Sequence, residues 1–301
     1  MNDLPDAKSL PPASPASESP GDRASALSAP ASPFLPSRSV PYRIALLLTL
    51  AIAIFLRLLN LRSMQAEIYG DIAIVRGYVD LIREGRWPLH FSLSSGPLYH
   101  YLVMPVVAVA GPGYLGLKIA SVVVSLGVLA AIFAVGRRLH GDLLALLSLF
   151  VAGVSSWLLI FSRLGNSQIL VPLLGTVSLW LLIRFVQEQR RRDLVLSAAV
   201  AGLGLYSYPQ SFILAPVMAT TLVALRFNGL RVRWKDIGLY GLSALVVASP
   251  FAWIVRRDPA NFFGGYIGGE APARRGFPPP ASREPRARSR VAAFPRRRRL
   301  P

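Results

Sequence analysis

A chain of 301 residues with 53% hydrophobic side chains, 16% charged ones and a mean hydropathy of +0.46 is too apolar for a soluble globular protein and falls in the membrane class. It has no cysteine and three histidines, which excludes disulfide frameworks, thiolate metal sites, iron–sulfur clusters and cysteine nucleophiles, and argues against a histidine-rich metal site. The net charge of +18 resembles a nucleic-acid signal, yet 10 of the 33 Lys and Arg lie in the last 31 residues and much of the rest sits between apolar segments; the pattern is that of basic cytoplasmic loops, with no nucleic acid as partner.

Residues 1–40 are dominated by Pro, Ala and Ser, a composition that buries too little apolar surface to offset ordering entropy, so a disordered tail is expected without the hydrophobic region of a cleavable signal. Residues 41–258 form the membrane domain. Arg38 and Arg43 lead into Ile44 to Leu61, eighteen residues interrupted mainly by Arg57 and Asn60 and long enough to cross hydrocarbon. With both arginines inside, this first helix runs outward. Arg57 lies near its far end, where snorkelling to the headgroups is the commoner outcome and facing a polar site the other.

An outer loop follows, residues 62–96. Within it, Ile72, Val75, Val79 and Ile82 recur at helical spacing, with Arg76, Asp80, Arg83 and Glu84 on an adjoining side and Gly85 as the stop. So short a helix, with one greasy face and one charged flank, suits the headgroup boundary. Asp71, at its start, has two readings: a helix N-cap, or a carboxylate at the interface able to take a proton from an incoming hydroxyl.

Seven more apolar segments come next: Pro97 to Ala110, Tyr114 to Val135, Leu143 to Phe161, Ile169 to Val186, Leu194 to Tyr206, Phe212 to Leu225 and Ile237 to Val255. Basic groups at Arg137-Arg138, at Arg184 with Arg190 to Arg192, and at Arg226 to Lys235 fall at every second junction and are assigned to the cytoplasm, which leaves Arg163 and Tyr208 outside. Two full crossings between the outer loop and Arg137 would break that rule, so either one segment does not cross or the rule fails locally and Arg137-Arg138 snorkel outside. Pro97 to Ala110 is the short one, and Gly111-Pro112-Gly113 follows it directly. The expected fold class is therefore all-α, a multi-pass helical membrane protein with an interfacial helix in the first outer loop. Residues 259–301 turn basic and Pro/Arg-rich, and are expected to be disordered or out of frame, as in a truncated or frame-shifted reading of a longer protein.

The order of three features, a polar outer loop with early acidic residues, then Gly85-Arg86-Trp87-Pro88-Leu89, then Ser95-Gly96-Pro97-Leu98-Tyr99-His100-Tyr101, resembles the GT-C membrane glycosyltransferases. More narrowly, it is similar to the bacterial relatives of the dolichyl-phosphate-mannose protein mannosyltransferases and of the lipid A aminoarabinose transferases. Further matches are Gly136-Arg137-Arg138-Leu139-His140-Gly141, Phe161-Ser162-Arg163 and Gly204-Leu205-Tyr206-Ser207-Tyr208. The resemblance implies an enzyme of the bacterial cell membrane that passes a sugar from a polyprenyl-phosphate carrier to a hydroxyl or phosphate outside. Membrane lipid is its surroundings, and a divalent metal is its one conceivable cofactor, with no metal ligand assigned. The family often carries an Asp-Glu pair in this loop, where this chain has Glu67 and Asp71 apart. The family also often has an acidic residue soon after the Ser-Arg pair, where this chain reads Leu164-Gly165-Asn166-Ser167-Gln168.

A polyprenyl phosphate is already a competent leaving group, so a single inverting displacement needs a base on the acceptor side and positive charge on the phosphate side. The resemblance gives the base to Asp71, with Glu67 as runner-up, and the phosphate to Arg163, whose planar fork suits phosphate oxygens. Tyr99, His100, Tyr101, Tyr206 and Tyr208 are candidates for the sugar or lipid pocket. Each has a plainer reading as well: a helix-end anchor for Arg163, boundary aromatics for the rest, a solvated charge for Glu67. Two other functions stay open on the sequence, a transporter or lipid flippase and an inactive truncated transferase. Against the carrier, the apolar segments hold hardly any ionisable residue near mid-membrane.

Overall fold

The computed structural model describes residues 39–63, 70–88 and 96–257; both expected tails and Glu67 lie outside the described residues. Helices account for the described chain: α1 (Val40–Leu58), α2 (Gly70–Arg83), α3 (Pro97–Ala110), α4 (Tyr114–Val154), α5 (Ser156–Leu164), α6 (Leu170–Glu188), α7 (Arg191–Gly202), α8 (Leu214–Phe227) and α9 (Trp234–Arg257). Short 3-10 turns at Ser167–Ile169, Leu203–Tyr206 and Pro209–Ile213 join them. No strand occurs among the described residues. Five stretches are long and apolar enough to cross a membrane: α1, α4, Ser167–Glu188, Pro209–Phe227 and α9.

α4 is two helices in sequence terms. Its 41 residues turn back at Gly141, whose φ of 81° and ψ of −173° no helix accommodates. The limbs then pack against each other: a Cβ at Gly136 would stand 3.0 Å from the Ala145 Cα. Arg137 pairs with Asp142 at 2.8 Å across the tip. Tyr114 to Val135 and Leu143 to Phe161 thus appear as separate crossings, the second broken again at Ser155 before α5.

Contacts between distant residues fix which ends lie together. At one end, Tyr42 donates to the Asp142 carbonyl, Arg138 pairs with Glu188, and Arg184 meets Asp193 at 3.4 Å. There too Asp236, 1% exposed, takes Arg233 at 3.0 Å and Arg191 at 3.7 Å. The neighbouring carboxylate holds the Arg233 guanidinium above the usual arginine range. The three basic junctions of the sequence therefore gather at one end of the bundle, as the charge rule requires.

The opposite end begins where α1 runs out. Lys118 Nζ reaches the Leu61 carbonyl at 3.4 Å, so the start of α4 stands beside the end of α1. The apolar helix α3, between those two points in the chain, is too short to count as a span. That proximity favours the reading in which Pro97 to Ala110 does not cross.

The core follows from these pairings. Val103 and Val107 of α3 pack with Leu117, Ala120 and Val124 of α4, Leu149 behind them, and Ile169 and Leu170 at the start of α6. A second cluster joins Leu182 and Phe185 of α6 to Leu194 and Ala198 of α7, Met218 and Leu222 of α8, and Tyr240 of α9. Between α6 and α7, Ser178 and Ser197 exchange hydrogen bonds, each hydroxyl donating to the other's carbonyl at 3.0 and 2.8 Å. Small polar side chains of this kind let helices approach in lipid and satisfy each other without water.

Candidate active site

The site end is assembled from four stretches that the sequence keeps far apart. After α1, Leu59 to Leu61 form a turn with Asn60 at φ 53°. Two cations close on it: Arg163, from the last turn of α5, donates through Nη2 to the Leu59 carbonyl, and Lys118 reaches Leu61. Arg163 Nε is buried with no hydrogen-bond partner among the described residues. Lys118 is 5% exposed. A charged amine that deeply placed is costly unless opposite charge or polar groups meet it. The sequence reading passed over Lys118 because a single lysine at the start of an apolar run looks like a boundary anchor; the alignment with Leu61 that buries it is not legible locally.

Gly165, at φ 79°, ends α5 in the left-handed region, with Leu117 of α4 so close that a side chain at 165 would crowd it. The chain then runs through Asn166, 4% exposed, to Gln168, whose Nε2 donates to the Tyr208 hydroxyl at 2.9 Å. Tyr208 belongs to the bend between α7 and α8, and the adjoining Ser207 accepts from the Gly96 amide at 2.7 Å. The segments after α5, before α3 and after α7 therefore meet at one end, and Arg163 and Tyr208 share it.

α2 packs above this region by its apolar stripe. Ile72, Val75, Val79 and Ile82 are all at or below 4% exposure; Val75 and Val79 join Tyr99, Val103 and Val107 of α3, and Ile82 packs with Tyr101 and Met104. Its flank stays out, with Asp80 between Arg76 and Arg83 at 3.9 and 3.7 Å. Arg76 also lies over the Tyr114 ring, 4.9 Å from its centroid, which ties α2 to the start of α4. The helix begins at Gly70, so Asp71 is inside its first turn and not at the cap, a place where a carboxylate complements the helix dipole. The Asp71 side chain, like Glu67, lies outside the described residues.

The other candidates divide. Tyr99 and His100 are fully buried; the Tyr99 hydroxyl bonds the Ser121 hydroxyl at 2.7 Å, and the His100 ring sits edge-on to Tyr78 and Tyr99. Both support α3 from behind. Tyr101 donates to the Pro88 carbonyl and packs on Trp87, keeping the loop's exit near the surface.

Tyr206 has a different task. Pro250 interrupts α9, and the Tyr206 hydroxyl enters the broken ladder, accepting from the Phe251 amide at 2.9 Å and donating to the Val247 carbonyl at 2.8 Å. Ser249 Oγ covers the Val246 carbonyl that Pro250 leaves without its amide, at 2.8 Å. Arg57, finally, does not snorkel. It is 0% exposed, with Nε on Ser125 Oγ at 2.9 Å and Nη1 on the Gly153 and Ala53 carbonyls at 2.9 and 3.0 Å. Among the described residues no three His, Asp or Glu side chains gather into a metal-binding group.

A helical bundle with its basic loops at one end, and an amphipathic helix, two cations and a polar bend at the other, has the architecture of a multi-pass membrane protein. The dolichyl-phosphate-mannose-protein mannosyltransferase family matches residues 94–254, over half of the chain, and the protein belongs to that family; it is a membrane glycosyltransferase of GT-C type. No curated protein and no solved structure gives a significant match.

Proposed function

We propose that the protein transfers a sugar from a polyprenyl-phosphate carrier to a hydroxyl or phosphate acceptor at the outer face of the cell membrane, by a single inverting displacement. The observation that carries this reading is the pair of cations on one turn, Arg163 at the Leu59 carbonyl and Lys118 at Leu61, with Arg163 Nε left for a further acceptor. As the bond from anomeric carbon to phosphate oxygen breaks, the phosphate gains a second negative charge. Fixed positive groups in a site of low dielectric stabilise that charge more than they stabilise the bound donor, which is how they accelerate the step.

Asp71 is the base of this proposal. It takes the proton of the acceptor hydroxyl as the oxygen attacks the anomeric carbon from the face opposite the phosphate, and Glu67 is the alternative carboxylate. Tyr208 and Tyr101, both half-buried at the same end, flank the sugar or the lipid, while Tyr99, His100 and Tyr206 act through the scaffold. The test is transfer of labelled sugar from a panel of polyprenyl-phosphate donors by membranes holding the full chain, with Asp71→Asn alongside. Signal that disappears in the variant is the expected result. Transfer that survives in Asp71→Asn moves the base to Glu67, and no transfer from any donor, despite correct insertion, overturns the reading.

A further inference from the structure

Arg57 and Arg163 form a reciprocal pair that nothing in the transfer chemistry requires. Arg57 leaves α1 to hold the Gly153 carbonyl, at the end of α4; Arg163 leaves α5 to hold the Leu59 carbonyl, at the end of α1. Between Gly153 and Arg163 lies the break at Ser155, where φ −58° and ψ 124° interrupt the helix and redirect the chain into α5. A break inside an apolar crossing leaves the last carbonyls of α4 without amide partners, and lipid offers none. Arg57 supplies one, and its positive charge faces the negative end of the α4 dipole.

The packing is built for this reach. A Cβ at Gly153 would stand 3.2 Å from the Ala53 Cβ, so α1 and α4 are nearly in backbone contact one turn below the guanidinium. Ser125 completes the seat, accepting from Arg57 Nε while donating to the Val122 carbonyl at 2.8 Å. No carboxylate pairs with Arg57 among the described residues, and its Nη2 is buried without a partner there. A charge so placed is expensive to hold for stability alone.

We infer that Arg57 is a positioning residue: it fixes the Ser155 break, and through it the direction of α5, so that Arg163 stands at Leu59 ready for the donor phosphate. The inference rests on the role given to Arg163 above. Without Arg57, the free Gly153 carbonyl favours a rearranged break, and α5 carries Arg163 away from the turn. The loss then shows in the chemical step, because the charge that develops on the leaving phosphate loses part of its stabilisation.

Two measurements on the full chain decide it. In the transfer assay, Arg57→Gln lowers kcat/KM for the donor about tenfold, with the fall carried mainly by kcat, and Arg57→Lys stands between it and the parent because the charge remains but the fork is lost. Added to Arg163→Gln, it changes kcat/KM little further, since the residue it positions is already gone; two purely structural losses multiply instead. The second measurement needs no activity: nitroxide labels at the exposed positions Phe55 and Ile160 report the separation of α1 and α5. That separation shifts or broadens in Arg57→Gln and in Arg57→Lys. Multiplying effects on kcat/KM, or unchanged label separation in both variants, overturns the inference. If the parent chain transfers no sugar, the function proposed above falls and the label separation still decides whether Arg57 sets α5.

Discussion

The amide of Gly96 donates to the carbonyl of Ser207 across 111 residues of sequence, at 2.7 Å. This contact seats the start of α3 on the bend between α7 and α8. It also leaves no room at Gly96, where a Cβ would fall on the Tyr206–Ser207 peptide. Gly96→Ala must push the two segments apart, at about 1–3 kcal/mol of overpacking. Thermal unfolding in detergent and the transfer assay both read the loss. Gly77→Ala is the control, because nothing surrounds that position and alanine favours the α2 helix by about 0.5–1 kcal/mol.

Lys118 is expected to act on the donor. Lys118→Gln removes a buried charge next to Leu61 and lowers kcat/KM for the polyprenyl-phosphate donor by about tenfold or more, while Lys118→Arg retains part of it. Arg163→Gln behaves likewise. An effect confined to the acceptor KM would place both cations on the other substrate.

For Tyr206 the expected outcome is the opposite kind. Tyr206→Phe strips the hydroxyl from the gap in α9 and leaves the Val247 carbonyl and the Phe251 amide to find other partners, at about 1–3 kcal/mol. The melting temperature falls, and the donor KM stays near the parent value. A large rise in KM at unchanged stability would return Tyr206 to the substrate pocket.

Orientation has its own test, made simple by the absence of native cysteines. Single cysteines introduced as Arg163→Cys and Tyr208→Cys label with impermeant reagent from outside, and Arg191→Cys from inside. The reverse pattern would turn the bundle over and with it the face on which the sugar is moved.

Much of the architecture was legible because it follows local rules. Apolar runs of the right length gave most of the spanning helices though not one over Leu194 to Tyr206, arginines at alternate junctions gave which ends lie together, and the stripe Ile72, Val75, Val79 and Ile82 gave α2 with its buried face. What stayed hidden depends on partners distant in sequence. Arg57 read as a snorkelling side chain because the carbonyl it holds is 96 residues away, beside a break that no proline announces. Tyr206 read as a pocket aromatic because Pro250, the reason for its hydroxyl, lies on another helix. Lys118 drew no notice until α1 was set beside it.

The turn at Gly141 bears on how the protein is made. Its two limbs are neighbours in the chain, and the contact of Gly136 with Ala145 and the ion pair of Arg137 with Asp142 need only a loop of a few residues to close. Contacts that local form early and at little entropic cost. During synthesis the pair can leave the insertion machinery as a ready hairpin and present to later helices the apolar side chains on which Ile169 and Leu170 come to rest.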